Sequence, residues 1–355
     1  MKLYIDGKEI IAGVGESLLD LTKRLGMVTG KLSNDAIVAK IAGRIFTLNY
    51  VPVREKDLAP DRKSIRTAMA ASDGVVSLIK YTDPRGRDAY TRTAQFILFL
   101  ALKNLYPRAE GTMNCTIGQG LYIKVKGADG FCCEKYKAEV LRIVNENFPL
   151  YRRRIQTSDL IEYYKHQGQE DKAELLSYRK KERIDVYENG EFVDYFYGEM
   201  APSTGYLRAW DIIPAPEGFI FIYPDNTNPD RVAKYHDSPN FFTMSGESKR
   251  WGELMECETV ADLNKLVASG KIRELIRTNE ALHEKKFSAI ADMICERGAR
   301  AVMLAGPSSS GKTTSANRLA TQLRVHGKKP ILMSLDDYYI DRDKIAPGPD
   351  GTIDL

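Results

Sequence analysis

At 355 residues the chain is too long for one ordinary core, so two to four domains are expected. Its 52 basic and 48 acidic side chains leave a net charge of +4, too small for this length to argue for or against a nucleic-acid partner. Five cysteines without ligand spacing suit a reducing cytosol, no signal peptide is visible, and the apolar run Phe96–Leu102 is too short for a bilayer, so the expectation is a cytoplasmic protein with no membrane partner.

The opening stretch MKLYIDGKEIIAGVGESLLDLTKRLG reads as a hairpin and a helix. Asp6-Gly7 supplies a turn between two short β-rich runs. Leu18, Leu21 and Leu25 then recur at helical spacing, and Gly26 stands where a helix stops. Two more strands are predicted around Gly43 in AIVAKIAGRIFTLNY. By pattern and order, a small sheet gripping one helix over residues 1–62 resembles the TGS domain, the β-grasp module at the front of threonyl-tRNA synthetases and some GTPases.

Residues 63–225 include RTAQFILFLALKNLYP from Arg92 and MNCTIGQGLYIKV from Met113. They resemble the second additional domain of threonyl-tRNA synthetases, an α+β editing module. The resemblance implies two histidines on a helix, then a cysteine and a histidine, at positions occupied here by Arg92, Phe96, Phe196 and Met200. None of these is a good zinc ligand or hydrolytic base, so neither editing chemistry nor zinc is expected. The four histidines of the chain are scattered, which agrees. Arg92 is a candidate for either an anion contact or a structural role. The clusters YRRR (from Tyr151) and YRKK (from Tyr178) read as solvated faces, and RNA stays open as a partner.

A polar, turn-rich boundary follows Asp225, and residues 226–298 read as linker and helices. Thr259 and Asp262 look like a cap ahead of Val260, Leu263, Leu266 and Val267, with Gly270 closing the segment. Phe287, Ile290, Ala291 and Ile294 mark one face of a second helix ending at Gly298. These helices either pack on the segment that follows or act as spacers.

Residues 299–355 hold the most explicit chemistry. In AVMLAGPSSSGKTTSANRL, Gly306 is followed by four residues and then by Gly311, Lys312 and Thr313, between an apolar run and a helix-forming stretch. That is strand, phosphate loop and helix in order. Backbone amides around Ser308, Ser309, Ser310, Gly311, Lys312, Thr313 and Thr314 would cradle the phosphates of ATP, Lys312 would reach the β- and γ-phosphates, and the Thr313 hydroxyl would hold Mg2+. A second apolar run, Pro330–Leu335, delivers DDYYIDRD to a strand end, where Asp336 could act as general base, with Asp337 as competitor, and Tyr339 could stack on a base or sugar.

The loop together with LDDYY resembles the phosphoribulokinase/uridine kinase family. That likeness implies the start of an α/β P-loop kinase domain, Lys312 and Asp336 as catalytic, Tyr339 at a nucleoside substrate, and Asp354 at its ribose. The whole chain then resembles bacterial nucleoside kinases of fused architecture, multidomain α+β and α/β. Their activity would be ATP-dependent transfer of the γ-phosphoryl to a nucleoside 5′-hydroxyl. A kinase domain needs roughly 150–200 residues, so this segment is expected to be an incomplete and inactive one. Two rivals stand beside it: a noncatalytic RNA- or nucleotide-sensing protein with synthetase-like modules, and a kinase of the same superfamily acting on another small hydroxyl. The oligomeric state is not fixed by the sequence.

Overall fold

The computed structural model describes residues 1–53, 72–237, 239–340 and 344–345. It divides into two compact units, Met1–Ser248 and Lys249–Leu355. Asp354 lies outside the described residues.

In the first unit β1 (Lys2–Ile5) and β2 (Lys8–Ile11) form the hairpin that Asp6-Gly7 predicts. Both turn residues have positive φ, 46° and 79°, which matches the right-handed twist of the two strands. Helix α1 (Leu18–Arg24) begins with a capping box in which the Ser17 hydroxyl accepts from the Asp20 amide and the Asp20 carboxylate accepts from the Ser17 amide. Strands β3 (Ala36–Ile41) and β4 (Arg44–Thr47) flank Gly43. The middle strand of the sheet, β5 (Val75–Lys80), comes from beyond residue 62 and makes the order β2-β1-β5-β3-β4. It runs parallel to β1 and antiparallel to β3. Leu18 and Leu21 bury the apolar face of α1 among Leu3, Ile5, Ile41 and Val76.

The long helix α2 (Pro84–Leu105) is started by Asp83, whose carboxylate accepts from the Arg85 amide, with Pro84 in the first turn. It packs into a core with β6 (Glu110–Ile117), β7 (Gly120–Lys126) and α3 (Cys133–Glu146). A second sheet is built from β8 (Arg152–Gln156), β9 (Arg183–Asn189) and β10 (Phe192–Tyr195), ordered β10-β9-β8. One side of it carries α4 (Thr157–His166) and α5 (Glu170–Ser177) through Leu160, Leu176, Ile184 and Val186. Strands β11 (Asp211–Ala215) and β12 (Gly218–Ile222) complete the third sheet, β11-β12-β7-β6. The unit is thus α+β with several sheets.

Helix α6 (Pro239–Leu254) carries the division between the units. In the second unit, α7 (Val260–Ala268) has the predicted Thr259–Asp262 capping box, and α8 (Ile272–Glu296) ends just before Gly298, which has a φ of 60°. Helix α9 (Lys312–Val325) lies along α8. Buried Ala291 and Ala320 let the two helices approach closely, and Glu284 accepts from Arg318 at 2.8 Å and from Gln322 at 3.1 Å.

Among the described residues the α/β kinase segment expected from the sequence is not seen. Neither Ala301–Ala305 nor Pro330–Leu335 is a strand, and Met303 is 95% and Ile331 85% exposed. A parallel strand needs hydrogen-bonded neighbours and helices over both faces. Among the described residues neither run has a strand partner, and α8 and α9 bury their small residues against each other.

Candidate functional site

Two places gather the residues picked out by the sequence. In the second unit, Gly306–Thr314 forms a tight loop running into α9. Ser309 and Gly311 have φ values of 60° and 82°, and a Cβ on Gly306 would come within 2.8 Å of Ser310 Oγ. The Ser315 amide bonds to the Gly311 carbonyl at 2.9 Å, so the amides of Lys312, Thr313 and Thr314 belong to the first turn, where donors have no intrahelical acceptor. Lys312 Nζ donates to the Pro307 carbonyl at 2.7 Å and so folds back over the loop. Orphan amides, a lysine and the exposed Thr313 hydroxyl at a helix start suit a phosphate with its Mg2+.

The acidic segment is less well assembled. Ser334 caps the short 3-10 turn Leu335–Tyr338, leaving Asp336, Asp337 and Tyr339 exposed. Among the described residues no hydrogen bond or ion pair joins them to Gly306–Thr314. Among the described residues no sheet edge carries Asp336 to the loop.

The first unit brings together all four positions that the synthetase likeness singles out. Phe96 and Met200 are fully buried, and Phe96 packs edge-on against Phe192, Phe196 and Tyr187 at ring distances of 5.4, 6.2 and 6.5 Å. The Met200 amide donates to Tyr187 Oη at 3.2 Å. An aromatic cluster therefore surrounds these positions, and no cluster of metal-ligating side chains occurs among the described residues.

At the rim of this cluster Arg92 is half-buried. Its Nε donates to the Glu199 carbonyl at 3.0 Å, and its guanidinium lies against Gly198, where a Cβ would come within 2.9 Å of Arg92 Cζ. Gly198 has a φ of 122°, a conformation that favours glycine. Burial lowers the Arg92 pKa against the opposing pull of Asp88, Tyr187 and Glu199. The Glu199 side chain, 6% exposed, turns instead to Arg152 at 3.0 Å and Tyr187 Oη at 3.4 Å.

The basic clusters have distinct fates. Arg152, Arg153 and Arg154 are paired with Glu199, Glu188 and Asp185 at 3.0, 3.0 and 2.7 Å. Burial acts to raise the Asp185 carboxyl, and hydrogen bonding from Arg154 with the charges of Arg152 and Arg154 lowers it overall. YRRR is therefore an internally compensated strand. In YRKK, Arg179 lies over the Tyr197 ring, 5.4 Å from its centre, and donates from Nη1 to Tyr197 Oη at 2.8 Å. Tyr187, Glu199, Arg179 and Tyr197 were not picked out as functional residues from the sequence. Their strand and loop positions carry no local signature beyond the glycine between Tyr197 and Glu199.

No family model matches the chain. It is similar to threonine–tRNA ligases: 26% identical over 208 residues to that of Syntrophomonas wolfei, covering 58% of the chain and 29% of the ligase. The match to the Clostridium kluyveri ligase is 27% over 279 residues, 78% of the chain and 39% of the ligase. That to the Clostridium novyi ligase is 26% over 256 residues, 70% and 39%. The chain spans less than two-fifths of the length of these relatives. These findings overturn the nucleoside-kinase assignment and the kinase class drawn from LDDYY: the relatives are tRNA ligases, and among the described residues no sheet joins Asp336 to Lys312. The synthetase-like reading of the chain is the one they favour. No helix among the described residues is long and apolar enough to cross a membrane.

Proposed function

We propose that this protein binds RNA through its synthetase-like first unit and senses nucleotide at Gly306–Thr314, without transferring a phosphoryl group. The similarity to tRNA ligases over as much as 78% of the chain carries this reading. The editing-like position supports a binding role: packed rings cannot activate water, whereas the half-buried Arg92 at their rim offers a cationic donor.

For the nucleotide, the first-turn amides of α9 would bind phosphate oxygens, Lys312 would exchange the Pro307 carbonyl for a phosphate, and Thr313 would hold Mg2+. Bound ATP would supply a triphosphate as the signal. Sensing needs no general base, so the exposure of Asp336 costs it nothing.

The test is fluorescence anisotropy of the full chain with labelled bulk tRNA and with duplex DNA of similar charge, at about 0.15 M salt. Preference for tRNA by about tenfold or more is expected. Equal binding of the two, or none, would refute RNA recognition.

A further inference from the structure

Beyond helix α9 an apolar run lies between charges of opposite sign: Lys328 and Lys329 precede residues 330–335, and Asp336 and Asp337 follow them. Ile331, Met333 and Leu335 are each at least 70% exposed and Leu332 is 49% exposed. Both lysines and both aspartates stand in solvent, and among the described residues none of the four forms an ion pair. The backbone is open as well. Among the described residues the amides of residues 331–334 and the carbonyls of residues 331–333 have no hydrogen-bond partner. The Ser334 hydroxyl and carbonyl accept from the Asp336 and Asp337 amides, which ends the open stretch in the 3-10 turn Leu335–Tyr338.

An apolar segment with free donors and acceptors is a template for another strand. The flanking charges decide which one. Antiparallel alignment of two copies about a two-fold axis sets Leu332 opposite Met333, Ile331 opposite Ser334, Lys329 opposite Asp336 and Lys328 opposite Asp337. Parallel alignment instead sets lysine on lysine and aspartate on aspartate, which is unfavourable. The other exposed apolar run, residues 301–305, is preceded by Arg300 and offers no acid to Lys328 and Lys329. Pro330, which has no amide proton, falls just outside the residues with open amides. Solvent-exposed ion pairs contribute little each, so the apolar side chains supply the affinity and the charges set the register.

We propose that residues 331–334 pair antiparallel with the same residues of a second copy of this chain, with Lys328 and Lys329 of each copy facing Asp337 and Asp336 of the other. The contact is isologous, so it closes at two copies. It is small, which makes the dimer a weak one. It is independent of the RNA-binding reading.

Sedimentation velocity of the full chain at about 1 to 100 μM, in about 0.05 M salt, tests this pairing. The mass is expected to rise with concentration from that of one 40.0 kDa chain to twice that value. Reversing the lysines together (Lys328→Asp with Lys329→Asp) should weaken the dimer about tenfold or more, and so should reversing the acids (Asp336→Lys with Asp337→Lys). Combining all four substitutions restores the opposed charges and should return the dimer to within about threefold of wild type. Leu332→Asp should abolish it. All of these side chains are exposed, and unchanged helix content by circular dichroism shows that a loss is not one of folding. A chain that stays at 40.0 kDa throughout, or that grows beyond two copies, would overturn the proposal. So would a dimer that ignores both charge reversals, or that the combined reversal fails to restore.

Discussion

Asp35 and Arg208, 173 residues apart in sequence, form an ion pair at 2.8 Å that ties the first sheet module to the region ahead of β11. The Asp35 side chain is 1% exposed and also accepts from the Thr29 amide and hydroxyl, at 2.6 and 2.9 Å, and from the Gly30 amide at 3.0 Å. Asn49 Nδ2 donates to the carbonyls of Leu150 and Pro202, and Ser33 is paired with Asp230. The two synthetase-like modules are therefore parts of one unit, locked through polar contacts that are satisfied on both sides.

Replacing Asp35 with Asn is expected to destabilise the first unit by about 2 kcal/mol, because the buried Arg208 contact loses its charge partner while Arg208 keeps partial access to water. The shift of the urea midpoint at constant slope measures it.

The same carboxylate sets a pH dependence. Burial acts to raise the Asp35 pKa, but the bonds from Arg208 and Thr29 outweigh it and hold the pKa below the ordinary value. A group lowered in the folded state adds stability above its unfolded pKa, about 3.9, and loses it as pH falls through the folded value. Urea midpoints of the wild type should fall between about pH 5 and pH 2 more steeply than those of Asp35→Asn. Parallel curves would show that Asp35 does not contribute.

Phe96→Ala should cost about 3–4 kcal/mol, since it removes a fully buried ring packed on three others. Thermal melts of the full chain read the loss. A change below about 1 kcal/mol would mean that the cluster is not a packed core.

Lys312→Ala should weaken ATP binding about tenfold or more, and Asp336→Asn should leave it unchanged, as measured by calorimetry with Mg2+ present. No turnover of uridine is expected from the wild-type chain in the same buffer. Phosphorylated uridine above background, lost in Asp336→Asn, would overturn the noncatalytic reading.

Thr259→Ala should lower the stability of the second unit by about 1 kcal/mol, the usual worth of an N-cap whose hydroxyl accepts from the Asp262 amide. Thr259→Ser should recover most of it. Helix content measured by circular dichroism through the thermal transition distinguishes the two.

The features legible in the sequence are those whose physics closes within a few residues. Asp6-Gly7 and Gly43 mark hairpins because their backbones must reach positive φ, and Thr259 with Asp262 marks a helix start because its orphan amides lie one turn away. The synthetase likeness extended this to four positions far apart in the chain: Phe96 and Phe196 meet, and Met200 and Arg92 bond to Tyr187 and Glu199 beside them. What only the tertiary structure decided depends on partners that the local sequence does not name. Val75–Lys80 became the middle strand of the first sheet because β1 and β3 offered edges on both sides, while Ala301–Ala305 and Pro330–Leu335, apolar enough for strands, have no strand neighbour among the described residues. Likewise Arg152 and Arg92 look alike as residues, yet one is neutralised by Glu199 and the other is left with donors to spare, because the loop around Gly198 turns the carboxylate toward Arg152 and the carbonyl toward Arg92.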